Sequence, residues 1–260
     1  MNEKSFDIQN IPLYNDGEGG DSMIDYQIGS KVCFFQSLES TNTFMKENIK
    51  SYQNGDMICA RVQTAGKGRR SNVWMSNDGD LHVSFLIDNA VMEHSLFEVI
   101  LITTNTLLNV LKKYDLEPKV KYPNDIIVNG KKISGILVER IIGERDTFIV
   151  GFGLNVVTED FSRINKPGTS IYLETNNRYD YRDVLFEFIG EYNKLAECKS
   201  CDLYQDYLDH SVVLHQKVVI DSKEYTVMDI NLEGKLVLDK DGEEILMHMN
   251  EVSLKEFYDE

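Results

Sequence analysis

The chain is short of cations. It carries 27 Lys and Arg against 43 Asp and Glu, a formal net charge of −16 over 260 residues. So acidic a chain opposes the phosphate neutralisation on which general nucleic-acid binding depends. Long apolar runs are also missing, since "LHVSFLI" and "LFEVILI" have the size of core segments and not of membrane spans. The opening "MNEKSFDIQN" mixes both charge signs and has no apolar stretch. It does not read as a secretion signal or as an Arg-rich transit peptide, and a cytoplasmic location is expected.

Metal-ligand spacing is scarce. Cys33 and Cys59 lie in apolar runs and read as buried thiols. Cys198 and Cys201 have CxxC spacing at the end of a helical pattern, with no second such pair and no nearby His pair. They are expected to be structural or incidental thiols, not a zinc site. His82, His94, His210, His215 and His248 show no ligand spacing either. Both familiar phosphate-loop patterns fail around Gly66. Lys67 is followed by Gly68 where a Walker loop needs Ser or Thr, and the residues after Gly68 do not open a helix. No internal repeat or low-complexity segment is present.

What remains is patterned. Residues 1–29, with "NDGEGGD", read as an acidic, mobile extension. "KVCFFQS", "DMICARVQ", "LHVSFLI" and "DTFIVGFGLNVV" read as strands. Helical patterns cover "ESTNTFMKENIKSYQNG", residues 93–114 and residues 182–196. Within "KVKYPNDIIVNGKKISGILVERI", Asn129-Gly130 separates two β-rich runs, a strong hairpin signal. From residue 212 short strands and tight turns suggest a small barrel. Strands with interposed helices but no regular βαβ alternation indicate an α+β fold with a mixed or antiparallel sheet. The expected units are residues 1–29, 30–211 and 212–260.

Against the acidic background, "QTAGKGRRSNVWMS" stands out, because Lys67, Arg69 and Arg70 are threaded with Gly66 and Gly68. If the loop runs extended, Lys67 and Arg69 share a face. Bare glycine backbone beside two cations suits an anion with several oxygens. Trp74, the sole tryptophan, could cover an aromatic ligand or anchor the loop. In the hairpin, Asn124 and Asp125 stand where a strand begins, and Lys132 sits across the turn and can return toward Asp125. Gly135 bares the backbone again. Ser40, Thr41 and Asn42 can cap a helix, and Gly151 to Asn155 can end a bulged strand.

Taken in order, these segments resemble biotin protein ligases, from about Lys31 to the C-terminus. "GKGRRS" is similar to that family's GRGRRG signature. "KYPNDIIVNGKKISGILVE" is similar to its KWPND…K-x-x-G-I-L-V-E block, and "ESTN", "GFGLN" and "PGTSIYLE" fall where the family has comparable segments. The resemblance implies a catalytic domain related to class II aminoacyl-tRNA synthetases with a small SH3-like C-terminal barrel. It implies ATP with Mg²⁺ and biotin as reactants. Biotinyl-AMP would form first, and biotin would then pass to a lysine of a biotin carboxyl carrier domain.

By the same resemblance Ser40, Thr41, Asn42, Gln63, Gly66 and Gly135 belong to the biotin site. Lys67, Arg69 and Lys132 meet the carboxylate and phosphate. Arg70, Trp74, Asn124 and Asn155 lie on the nucleotide side with Arg69 and Lys132. Asp125 orients the incoming lysine or the metal, with no protein metal cage. Lys67 stands where the family usually has Arg, Ser71 where it has Gly, and Tyr122 where it has Trp. The N-terminal portion is too short and acidic for the winged-helix domain of some members, so no operator binding is expected. A homodimer stays open. The rivals are a lipoate or octanoate ligase of the same fold and a non-catalytic acyl-nucleotide or carrier-binding module.

Overall fold

The computed structural model describes residues 27–88, 95–164, 166–197, 200–252 and 254. The expected extension over 1–26 lies outside them, as do His94 and Cys198 and the side chains of Ser71 and Cys201.

Seven strands form one mixed sheet in the order β1-β2-β3-β7-β6-β5-β4. These are β1 (Val32–Leu38), β2 (Met57–Gln63), β3 (Leu81–Asp88), β4 (Lys119–Lys121), β5 (Asp125–Val128), β6 (Lys131–Ile141) and β7 (Thr147–Leu154). Only β1 and β2 run parallel, and the crossover between them holds α1 (Thr41–Glu47). Ser40 caps α1, its side chain accepting from the Thr43 amide. The helix is shorter than its sequence pattern, ending at Asn48 before a 3-10 turn over Ile49–Ser51. Gly55 then takes φ +80, a left-handed turn that suits glycine.

One face of the sheet is covered by α2 (Leu96–Lys112) and α4 (Tyr181–Ala196). Phe85, Phe152, Phe188 and Tyr192 interlock there. The opposite face carries α1, packed through Met45 on Ile58, Leu86 and Ile149. Because side chains alternate along a strand, the apolar residues of β3 and β7 that face the helices leave Ser84, Gly151 and Gly153 on the α1 side.

Two helices were not read from sequence, α3 (Ile171–Thr175) and α5 (Ser200–His210). The helix α4 ends at Ala196, before the CxxC spacing as the sequence pattern has it, but Cys201 stands in the first turn of α5, which that pattern did not show. Among the described residues the C-terminal part is a four-stranded antiparallel sheet, ordered β11-β10-β9-β8. Its strands are β8 (Lys217–Ile220), β9 (Lys223–Ile230), β10 (Leu236–Lys240) and β11 (Glu243–Met247). It shares the main core through Val227, Leu236 and Leu238. Tyr122 donates its buried hydroxyl to the Gly234 carbonyl at 2.7 Å. This phenol thus ties the two sheets together.

Candidate active site

A cavity of about 450 Å³ opens on the α1 side of the sheet. Part of its floor is a row of cross-strand partners. Lys121 pairs with Asp125, Asp125 with Gly135, and Gly135 with Gly153. Directly opposed residues put their side chains on one face, so this row runs from a charged end to a bare end.

The bare end accepts Trp74. A Cβ on Gly153 would stand 2.2 Å from Cε2 of that indole, and one on Gly135 would stand 2.8 Å from Lys132 Nζ. Glycine is needed at Gly153, where the rigid indole lies against the backbone, whereas at Gly135 the nearest atoms are the flexible end of Lys132. Lys132 Nζ sits 5.4 Å from the indole centroid, within cation–π range.

Lys132 reaches this face because of a bulge. Ile126 pairs with Ser134 but Ile127 with Lys132, so one extra residue is inserted in β6. Without it, Lys132 would stand three residues from Gly135 and point to the opposite face. With it, Lys132 Nζ lies 2.5 Å from Asp125 Oδ1.

The glycine loop does not run extended. Gly68 donates to Asn72 O at 2.7 Å and Trp74 to Gly66 O at 2.9 Å. Between them Arg69–Ser71 makes a 3-10 turn with Arg70 at φ 52. Lys67 is exposed at the rim while Arg69 turns inward. Arg69 Nη1 donates to Asn124 Oδ1 at 3.3 Å, and its Nη2 donates to the Met249 carbonyl. Arg70 donates to the Asn250 carbonyl. Burial, then the neighbouring Arg70 charge, lowers the Arg69 pKa from its ordinary value, though a guanidinium stays charged throughout.

The far end is polar and tightly bonded. Gln63 Oε1 accepts from the Thr41 amide at 2.8 Å and from Thr41 Oγ1 at 3.1 Å. Ser84 Oγ lies 2.8 Å from Thr41 Oγ1 and 2.6 Å from Asn42 Oδ1. Asn42 Nδ2 donates to Glu139 Oε2 and to Leu137 O. Ser40, Thr41 and Asn42 are all buried, so the cap of α1 is also a wall of the cavity.

All the residues singled out from sequence line this one cavity except Gly66. Gly66 instead packs beneath Trp74, where a Cβ would meet Trp74 O at 2.6 Å. Asn155 lines the cavity but spends its amide on the Thr169 carbonyl at 2.9 Å. It ties the segment before α3 to the end of β7. Sequence reading missed Lys121, Phe161, Lys166, Val252 and Leu254, which also line the cavity. For Lys121 the signal was present, since a short turn at Tyr122–Asn124 sets it opposite Asp125.

Residues 34–155 match the sequence profile of the Biotin/lipoate A/B protein ligase family. That stretch holds every cavity residue from Ser40 to Asn155, including both walls of the glycine row. The chain is 26% identical over 234 residues to the bifunctional ligase/repressor BirA of Escherichia coli K12, covering 82% of this chain and 71% of that protein. It is 32% identical over 145 residues to biotin–protein ligase 2 of Arabidopsis thaliana, covering 53% of this chain and under half, 44%, of that one. The fold superposes on the biotin protein ligase of Aquifex aeolicus in complex with biotin and ATP. The TM-score is 0.75 at 24% identity, covering 86% of this chain and 98% of that one. Among the described residues no helix is long and apolar enough to cross a membrane.

Proposed function

We propose that the chain activates biotin with ATP to biotinyl-AMP and transfers the biotinyl group to a lysine of a biotin carboxyl carrier domain. The observation that carries this reading is the joining of two unlike ends in one cavity. Thr41 and Gln63 form a fixed polar end, and Arg69 and Lys132 form a cationic end, with bare backbone between them. The names of the relatives, a bifunctional ligase/repressor from a bacterium and a biotin–protein ligase from a plant, support the same reading.

The first step brings two anions together. The biotin carboxylate attacks the α-phosphorus, and the bond to the pyrophosphate leaving group breaks. Charge repulsion must be cancelled before attack, and charge builds on the phosphoryl oxygens as it proceeds. Lys132, with 22% side-chain exposure, acts where water screens weakly. Arg69 offers a fork to the same oxygens, and Lys67 adds a point charge from the rim. In the second step the carrier amine attacks the acyl carbon and AMP leaves. Asp125, beside Lys132 in the floor of the cationic end, orients that amine in this reading.

Among the described residues no three His, Cys, Asp or Glu side chains are grouped to hold a metal. Asp125 is already engaged by Lys132. A magnesium ion would arrive on the triphosphate, and no step here runs through it. In this reading residues 30–211 are the catalytic unit, residues 212–260 a docked accessory unit, and the net charge of −16 leaves no nucleic-acid partner.

The test is pyrophosphate–ATP exchange with biotin, lipoate or octanoate added separately. Exchange with biotin alone is expected, and Lys132→Ala should reduce it by about two orders of magnitude or more. Exchange with lipoate or octanoate instead would keep the chemistry and move the substrate. No exchange by folded protein would leave a binding module.

A further inference from the structure

We propose that Lys121 is a positioning residue that holds Asp125 when Lys132 leaves that carboxylate for the substrate anions. The inference rests on the adenylation reading above. Lys121 is 3% exposed and lines the cavity. It ends β4, and its Cα is paired with that of Asp125 on β5. The two side chains therefore leave the same face of the sheet as neighbours. Lys132 meets the same carboxylate from β6 at 2.5 Å. One acid thus meets two lysines on the same face of the sheet.

The resting pair poses a problem for catalysis. Lys132 must move off Asp125 to reach a carboxylate or a phosphoryl oxygen. Asp125, with 16% side-chain exposure, would then be left as a largely buried charge. Removing one partner of such a pair is far more costly than the pair is worth. Some cation must stay behind. Arg69, another cation felt by Asp125, belongs to the glycine loop and not to the sheet, and is drawn to the same substrate anions. The phenols of Tyr122 and Tyr207 close the surroundings. Burial raises both above their ordinary range, so they stay neutral and compensate nothing. Lys121, fixed on a strand, is the cation that remains. Without it, Lys132 stays locked in its resting ion pair.

The experiment measures biotin-dependent pyrophosphate exchange in Lys121→Met, with Lys121→Arg, Asp125→Asn and the double variant alongside. Lys121→Met is expected to lower kcat about tenfold or more while the KM for biotin changes less than about threefold. Lys121→Arg should recover most of the rate. In the Asp125→Asn background the carboxylate charge is gone, so adding Lys121→Met should cost less than about twofold. A wild-type kcat in Lys121→Met, or the same fold-loss in both backgrounds, overturns the proposal. A melting curve checks each variant, and Lys121→Gln takes the same test if the Met variant is unfolded. Wild-type protein without biotin-dependent exchange counts against the function proposed above and is seen before any variant is made.

Discussion

Asp80 offers a quantitative test of how the cavity is held together. It is 1% exposed and stands just before β3. Its Oδ1 accepts from the amides of Val156 at 2.7 Å, Val157 at 2.9 Å and Thr158 at 3.2 Å, and its Oδ2 takes the Thr158 hydroxyl. One carboxylate therefore satisfies the turn that follows Asn155, where β7 leaves the sheet. Asp80→Ala orphans three amides and a hydroxyl. A buried unsatisfied group costs about 1–3 kcal/mol. Water entering the space left by the side chain offsets part of the sum, and a loss of about 3–5 kcal/mol is expected. Asp80→Asn keeps an oxygen where Oδ1 stood, and the Thr158 hydroxyl can turn to accept from the new amide. Its loss should be only about 1 kcal/mol. Urea unfolding of both variants, followed by the shift in midpoint at constant slope, reads the difference. If Asp80→Ala unfolds within about 1 kcal/mol of wild type, or if the two variants are equally damaged, acceptor geometry is not what holds this turn.

Other consequences are as direct. Tyr122→Phe removes the donor to Gly234 O and should cost about 1–3 kcal/mol in urea unfolding; no loss would mean the two sheets do not depend on that bond. Gly153→Ala places a methyl 2.2 Å from the Trp74 indole, so the sole tryptophan must move, and its fluorescence should shift to the red as the ring meets water. An unchanged spectrum would refute the stacked placement. Burial drives the Cys59 thiol up to about 12, so alkylation at about pH 8 should be slow in the folded protein and fast in urea. Equal rates in both would contradict its burial. Burial likewise holds His82 below its ordinary 6.5, so the folded chain takes up its proton less readily than the unfolded chain. Its stabilising contribution is complete above that value and is lost as pH falls below it. Unfolding free energy should drop from about pH 7 to about pH 5 in wild type and less so in His82→Asn. Matching slopes would assign the loss to other groups.

Much of the fold is legible because it rests on local rules. The Asn129-Gly130 hairpin appears with both residues at positive φ, 48 and 72, as a two-residue turn of that composition demands. The cap of α1 at Ser40 and the long buried α2 follow from pattern alone. α5 escaped notice because "SCDLYQDYLDH" is mostly polar. Leu203 and Tyr207, one turn apart and both buried, were the signal. α3 is too short for periodicity to register. The cavity residues were legible one by one, but their arrangement was not. The sequence does not announce the bulge that turns Lys132 toward Asp125, and the extended reading of the glycine loop failed because backbone bonds between Gly66, Gly68, Asn72 and Trp74 fold it back on itself. Both depend on register between strands, which one-dimensional periodicity leaves open.

Lys132, Arg69 and Arg70 are each bonded to an oxygen of the chain itself, and that explains how an acidic protein keeps them. Lys132 rests on Asp125, Arg69 on Asn124 and the Met249 carbonyl, and Arg70 on the Asn250 carbonyl. Each partner is an oxygen that a phosphate or carboxylate oxygen can replace. Anion binding is therefore an exchange of acceptors, and its free energy is a difference between two bonded states. Neutral carbonyls are weaker partners for a guanidinium than charged oxygens are, so the exchange at Arg69 and Arg70 runs toward the ligand. At Lys132 the resting partner is itself charged, and exchange needs a cation to stay with the acid. The same argument ties the C-terminal segment to the reaction. On the proposed reading a ligand displaces Met249 and Asn250 from the loop, so truncation before Met249 should speed loop exchange in the free protein and leave the ligand-bound loop unchanged. Hydrogen exchange over residues 66–74, measured with and without biotin plus ATP, distinguishes this from a purely structural tail, for which truncation would loosen both states alike.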